Sequence, residues 1–180
     1  MKKLLFFAII LLLIPIGIMA TKQNKNENDS YSADKKEKIE IDTTPRVTGI
    51  GGIFFRSKNP KELNNWYGEN LSLAIDDYGS PFEFRNANRP DEINYLRWSP
   101  FDEKSEDFIP AEKDFMINYR VQNIEGLVRN FKKNNVTIVD EITEVEYGKF
   151  VHILDPEGNK IELWEPIDSY LTKLGGQTTK

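Results

Sequence analysis

The alternation of hydrophobic and polar positions divides residues 46–168 into two similar halves, each opening with a strand and a helix. The first strand is predicted from Val47 to Ser57, where apolar residues run without helical spacing. A helix is predicted from Pro60 to Asn70, because Asn59 is a good N-cap and proline suits the first helical position. Three short strands then complete this half, at residues 73–76, 82–84 and 93–98.

The second half repeats this order. A strand is predicted from Asp114 to Val121 and a helix from Ile124 to Asn134, followed by strands at residues 136–142, 148–154 and 160–164. The last two strands are joined by the turn-forming sequence Asp-Pro-Glu-Gly-Asn at 155–159. The halves align with an offset of about 64 residues, which becomes 66 where Trp98 falls on Trp164. We therefore predict an internal repeat of two βαβββ modules that share one core.

The start of the chain has the pattern of an export segment. Lys2 and Lys3 precede an apolar run from Leu4 to Ala20, which predicts either a signal peptide cleaved after Ala20 or a retained membrane anchor. In both cases the remainder is expected to cross the cytoplasmic membrane, so the protein would be secreted, periplasmic or anchored by its N-terminal helix. Residues 21–45 are polar and lack periodicity, which predicts a disordered spacer.

Composition narrows the classes of partner. The 180 residues carry a net charge of −5, which argues against nucleic acid as a partner, and the absence of cysteine excludes disulfides and cysteine-ligated zinc. The predicted organisation is a domain at 46–168, with module 1 at about 46–100, a linker at 101–113 and module 2 at about 114–167. Residues 169–180 form the C-terminal tail of this scheme.

The sequence FVHILDPEGNKIELWEP at 150–166, with the Asn-Pro helix start and the Trp66-Tyr67 pair, resembles the vicinal oxygen chelate superfamily. That superfamily contains glyoxalases, extradiol dioxygenases, fosfomycin-resistance enzymes and bleomycin-binding proteins. The resemblance implies an α+β fold in which two tandem βαβββ modules form a curved, cup-like mixed β-sheet with flanking helices. The ligand site of such a fold lies on the inner face of the cup.

The resemblance also implies four metal-ligand positions on that inner face, which fall on Gly52, Leu96, Met116 and Glu162. Only Glu162 can bind a divalent metal in an oxygen and nitrogen site, whereas a catalytic metal normally needs about three protein ligands. We therefore expect a degenerate metal site and no cofactor. Activities that require the metal as a Lewis acid are not carried over from the family.

Strand alternation from Glu162 predicts which other side chains face into the cup. Lys160 shares its strand face, and His152 is expected beside it across the hairpin. His152 and Glu162 are the candidate catalytic residues, either in acid–base chemistry or in a reduced metal site with Asn118, while the simpler interpretation is a hydrogen-bonded pair. Glu162 is expected to pair with one of Arg56, Arg120, Lys160 and His152, and the alternative is that Arg56 or Arg120 receives an anionic ligand. The predicted ligand-binding residues are Phe54, Arg56, Trp98, Asn118, Arg120, Phe150 and Trp164.

These features predict an exported small-molecule-binding protein of the glyoxalase and bleomycin-resistance type, acting alone or as a homodimer. The alternative is a glyoxalase-like lyase or dioxygenase-type enzyme that uses Glu162 and His152 with a rearranged metal site. The sequence does not decide between binding and turnover, because fold resemblance alone does not define function.

Overall fold

A computed structural model describes residues 42–87 and 89–180 of the chain. The predicted export segment at 1–20 and almost all of the predicted spacer at 21–45 lie outside these residues. None of the helices in the described part is long and apolar enough to cross a membrane.

Module 1 contains three strands and one helix, which are β1 (Arg46–Ser57), α1 (Pro60–Leu71), β2 (Ser80–Asn86) and β3 (Arg89–Asp102). Helix α1 begins where predicted, because the Asn59 side chain accepts a hydrogen bond from the Glu62 amide at 3.2 Å. The strand predicted at 73–76 is wrong, since this segment forms only an isolated bridge between Asp76 and Gly79. The β2 edge that such a strand would pair with is occupied by Thr179, whose amide donates to the Pro81 carbonyl at 2.8 Å.

Module 2 contains five strands and is followed by a short helix. Its elements are β4 (Phe115–Gln122), α2 (Ile124–Lys133), β5 (Thr137–Ile138), β6 (Thr143–Val145), β7 (Gly148–Leu154), β8 (Lys160–Pro166) and then α3 (Asp168–Leu174). The strand predicted at 136–142 is reduced to β5, because the chain turns away at Asp140, whose carboxylate binds the backbone and ring of His152.

All strands belong to one mixed, open sheet in the order β2-β3-β1-β4-β8-β7-β5, with β6 pairing to β7. The first strands of the two modules, β1 and β4, run antiparallel at the centre. Each is flanked by the last strand of its own module, β3 or β8, in a parallel pair. The predicted α+β fold, with two consecutive modules sharing one sheet, is confirmed.

Two apolar clusters form on opposite sides of this sheet. Under the helices, Ile124 of α2 packs on Val121, Val151 and Leu163. The opposite cluster joins Phe54 and Met116 to Phe108, which comes from a 3₁₀ turn (Glu106–Phe108) inside the predicted linker. We call the side of the sheet that carries Phe54, Met116 and Glu162 the cup face. The linker turn therefore folds over the face on which the resemblance places the ligand site.

Candidate functional site

Four neighbouring strands place one residue each in a continuous row on the cup face. Gly52 of β1 is the partner of Asn118 in β4, Asn118 is the partner of Glu162 in β8, and Glu162 is the partner of His152 in β7. Because paired residues on adjacent strands point to the same side of a sheet, this register aligns an amide, a carboxylate and an imidazole. The predicted proximity of His152 and Glu162 follows from the hairpin at 155–159.

Hydrogen bonds connect these side chains into one continuous network. Asn118 Nδ2 donates to Glu162 Oε1 at 2.5 Å, and His152 Nε2 lies 3.0 Å from Glu162 Oε2. On the other side of the ring, His152 Nδ1 lies 2.6 Å from Asp140 Oδ2. The backbone amide of His152 also donates to Asp140 Oδ1 at 2.7 Å. A carboxylate therefore faces each nitrogen of the only histidine in the chain.

The two carboxylates control the protonation of His152. Burial lowers the pKa of the imidazole, and the charge of Lys160 acts in the same direction. The hydrogen bond and negative charge of Glu162, with the hydrogen bond of Asp140, outweigh these effects and hold the pKa above its ordinary value of 6.5. The imidazolium form, which donates to both carboxylates, is thus favoured over a wider pH range than in water.

The side chains on the cup face do not fit the divalent metal that the resemblance implies. At Gly52 there is no room for a ligand side chain, since a Cβ atom would lie 2.5 Å from the Phe54 ring and 3.1 Å from Asn118 Cβ. Both ring nitrogens of His152 already face carboxylates, and Met116 offers only a thioether. Within residues 42–87 and 89–180, no three histidine, aspartate or glutamate side chains are grouped so that they could hold a metal ion.

A cavity of about 370 Å³ opens on the cup face beside this row. One wall is apolar and is formed by Phe54, Phe101 and Met116. The facing polar wall contains His152, Lys160 and Glu162, and the exposed acidic residues Glu106, Asp107 and Asp140 complete the lining. Five of the residues predicted to face into the cup therefore line one cavity, namely Phe54, Met116, His152, Lys160 and Glu162.

Lys160 is the most unusual of these side chains, because its ammonium group is buried. The residue is only 7% exposed, and Nζ donates to the backbone carbonyl of Asp107 at 2.7 Å. No carboxylate in the described part of the chain forms an ion pair with it. A buried cation without a counter-charge is costly, so this arrangement calls for an explanation.

Two of the other predicted ligand-binding residues lie close to the cavity without lining it. Asn118 donates a hydrogen bond to the Glu162 carboxylate and so orients it. Arg56 donates to the backbone carbonyl of Glu103, and its guanidinium lies over the Phe108 ring, 4.8 Å from the centroid. Of the four side chains expected as partners of Glu162, Arg56 does not pair with it, because the linker turn binds the guanidinium, whereas His152 does.

Arg120, Trp164 and Phe150 form a separate stack. The Phe150 and Trp164 rings are nearly parallel, with centroids 5.9 Å apart, and the Arg120 guanidinium lies 5.1 Å from the Trp164 centroid. Arg120 forms an ion pair with Asp168 rather than with Glu162, while burial raises the pKa of Asp168 against the lowering effect of that arginine.

Arg120 lines a second, larger depression of about 720 Å³ that does not contain Glu162. Four basic side chains of that depression pair with acidic neighbours, namely Arg46 with Asp42, Arg89 with Glu92, Arg120 with Asp168 and Lys149 with Glu125. We assign the candidate site to the smaller cavity, because it is lined by Lys160, a buried charge that has no ion-pair partner among the described residues.

Trp98 lies on the helix side of the sheet, contrary to its predicted place in the cup. Its ring centroid is 4.4 Å from that of Tyr67 in α1 and 5.3 Å from that of Phe55. Trp98 is paired with Ile53, whose side chain points away from the cup face that holds Phe54. The offset of 66 therefore places Trp98 on the wrong face of the sheet.

No family model matches the chain, and no curated protein matches it. Solved structures do match. A glyoxalase/bleomycin resistance protein/dioxygenase superfamily member from Vibrio splendidus is 14% identical, with 68% of this chain and 99% of that chain covered and a TM-score of 0.41.

Two further matches carry other descriptions. Methylmalonyl-CoA epimerase from Mycobacterium tuberculosis is 19% identical over 70% of this chain and 93% of that chain, with a TM-score of 0.47. NAD-dependent benzaldehyde dehydrogenase from Legionella pneumophila is 16% identical over 64% of this chain and 97% of that chain, with a TM-score of 0.43. Structural neighbours thus include a member of the superfamily that the sequence resembles. The chain is an α+β protein of two modules with a cavity on the cup face.

Proposed function

We propose that the protein binds a small organic molecule in the cavity on the cup face. The observation that carries this proposal is the pairing of an aromatic wall, Phe54 and Phe101, with a polar wall of aligned hydrogen-bonding groups. Binding pockets for small molecules typically combine mostly apolar surface with a few convergent polar groups, in volumes of roughly 300–1,000 Å³. The volume of about 370 Å³ falls at the lower end of that range.

The polar wall is suited to recognition without a metal. The Glu162 carboxylate accepts one hydrogen bond at each oxygen, from Asn118 and His152, and a carboxylate has about four acceptor positions in all. It is therefore held in one orientation while still able to accept from a ligand. Such pre-orientation reduces the entropy lost on binding, which favours a ligand recognised by side chains directly.

A ligand screen on the full chain tests this proposal. We expect hits from a fragment library that raise the melting temperature and whose affinity changes about tenfold or more in Glu162→Gln, which keeps the shape but removes the charge. Glu157→Gln, in the exposed turn at 155–159, is the matched control and should bind normally. A library that yields no ligand, or ligands whose affinity is unaffected by both Glu162→Gln and Phe54→Ala, would contradict the proposal.

The same screen separates binding from catalysis. The alternative function is an acid–base enzyme, and it is favoured by the Asp140–His152 contact of 2.6 Å, which orients the imidazole against Glu162. Ligands recovered unchanged after long incubation, as judged by NMR, support a binding protein. Chemical conversion or solvent deuterium uptake that is lost in His152→Asn supports the enzyme.

We also propose, from the sequence pattern of residues 1–20 alone, that the protein acts after export across the cytoplasmic membrane. N-terminal sequencing of the protein from its native membrane and soluble fractions tests this. A mature chain that begins after Ala20 supports a cleaved leader, and an intact chain in the membrane fraction supports an anchor.

A further inference from the structure

We propose that the ligand of the cavity on the cup face is an organic acid whose carboxylate binds the ammonium group of Lys160. This inference rests on the proposed binding function and adds the chemical class of the ligand. The observation behind it is the ammonium group of Lys160, which is buried at the cavity wall and has no ion-pair partner among the described residues.

The first step is the hydrogen-bonding capacity of Lys160. An ammonium group has three N–H donors, and here one of them is used by the Asp107 carbonyl. The residue is 93% buried by its relative exposure of 7%, so water does not fully solvate the charge. A carboxylate oxygen placed in the cavity would satisfy a remaining donor and neutralise the cation at once.

The second step is that the nearby carboxylate, Glu162, already has hydrogen-bond partners other than Lys160. Lys160 and Glu162 lie two residues apart on the same face of β8, which separates their Cα atoms by about 7 Å. Glu162 points its two oxygens at Asn118 and His152 and forms no ion pair with Lys160. The acidic rim residues Glu106 and Asp107 are exposed, so solvent screens their charges more than that of the buried ammonium.

The third step concerns the remainder of the ligand. Phe54 is 9% exposed and Met116 is 2% exposed, and with Phe101 they form the wall of the cavity that contains no charge. The Phe54 and Phe101 rings are tilted by 59° with centroids 5.6 Å apart, which gives two aromatic surfaces in one small space. A carboxylate attached to a compact apolar or aromatic group therefore matches both walls.

Matched probes that differ only in charge test this inference on the wild-type full chain. The probes are three series, of an acid, its amide and its amine, built on benzene with a one-carbon or two-carbon spacer and on indole with a one-carbon spacer. We expect the acids to bind at least tenfold more tightly than the amides and amines by calorimetry, because only they bring a negative charge to Lys160.

Two lysine variants then locate the effect. Lys160→Met keeps the length and apolar stem of the side chain, and we expect it to lose the preference for acids about tenfold or more. Its melting temperature without ligand should be equal to or above that of the wild type, because the variant removes an unpaired buried charge. Lys58→Met, at an exposed lysine that lies outside the cavity, should leave the preference unchanged.

The outcomes also distinguish this inference from the proposed function. Equal binding of acids, amides and amines, or an acid preference that persists in Lys160→Met, would overturn the organic-acid assignment while leaving ligand binding intact. Absence of binding in all three series likewise overturns the assignment, and the broader fragment library then decides the binding function by itself. The comparison of acids, amides and amines uses only the wild type, so it tests the inference even where Lys160→Met fails to fold.

Discussion

At the scale of single residues, two glycines let side chains of the cup face pack directly against strand β1. Gly51 is the extra residue of a bulge in β1, since Ile50 pairs with Tyr119 and Gly52 pairs with Asn118. Without side chains at 51 and 52, Asn118, Trp164 and the Phe54 ring pack directly against the β1 backbone. The space that a side chain at 51 or 52 would need is therefore filled by Asn118, which orients Glu162, and by the Trp164 and Phe54 rings.

Gly51→Ala should destabilise the protein by about 1–3 kcal/mol, the usual cost of overpacking a buried site. The new Cβ would lie 2.1 Å from Asn118 Oδ1 and 2.9 Å from the Trp164 ring. Gly49→Ala, in the same strand, is the control, because its nearest neighbour is Arg120 Cδ at 3.8 Å, an ordinary contact. Urea denaturation measures both. Equal losses would show that close packing at Gly51 is not what excludes a side chain.

His152 gives a prediction for the dependence of stability on pH. Because its pKa is raised in the folded state, the stability it contributes is fully present below its unfolded pKa of about 6.5 and is lost as pH rises through the folded value. The difference in free energy of unfolding between the wild type and His152→Gln should therefore shrink as the pH is increased from about 6 to about 9. Denaturation at several pH values measures it, and a constant or growing difference would contradict the raised pKa.

At the scale of elements, the sequence pattern predicted structure well where several local features indicated the same boundary. Helix α1 had a capping asparagine and an N-terminal proline, and strand β7 was bounded by turn residues, so their positions were predicted to within a residue. The strand predicted at 73–76 failed for a reason that no local pattern contains, because its pairing edge is taken by a residue over a hundred positions away. Secondary structure that depends on such distant competition is not visible in a window of sequence.

In the candidate site, too, some residues could be predicted from local sequence and others could not. The pair His152 and Glu162 could be predicted because one short hairpin fixes their register, and Lys160 followed from alternation on β8. Asp107 and Asp140 could not, because one lies in a short 3₁₀ turn and the other in irregular backbone, and each segment acquires its position only from packing on the sheet. Trp98 was misplaced because the repeat offset aligned it with Trp164, and alternation assigns the correct face only where the register is right to the residue.

At the scale of the whole molecule, residues beyond the second module join it to the first. After α3, the backbone of Thr179 pairs with β2, donating to the Pro81 carbonyl at 2.8 Å and accepting from the Glu83 amide at 3.0 Å. The Thr179 hydroxyl accepts from the Ala74 amide at 2.8 Å and lies 2.9 Å from the hydroxyl of the fully buried Ser80. This contact covers the outer edge of the shared sheet at its module 1 end.

Deletion of residues 177–180 should therefore affect both stability and association. The loss of two backbone and three side-chain hydrogen bonds, the third from the Thr178 hydroxyl to Glu83, predicts a decrease of about 2.5–7.5 kcal/mol in the free energy of unfolding, at about 0.5–1.5 kcal/mol for each bond. The exposed edge of β2 would also present unpaired backbone groups, which favour pairing with another chain. Chemical denaturation and light scattering at increasing concentration measure the two effects.

Thr179→Val, which keeps the backbone pairing and removes only the hydroxyl, should lower stability by about 1–2 kcal/mol and remain unassociated. If that variant associates as strongly as the deletion, the hydroxyl contacts with Ala74 and Ser80, rather than coverage of the strand edge, maintain the solubility of the sheet.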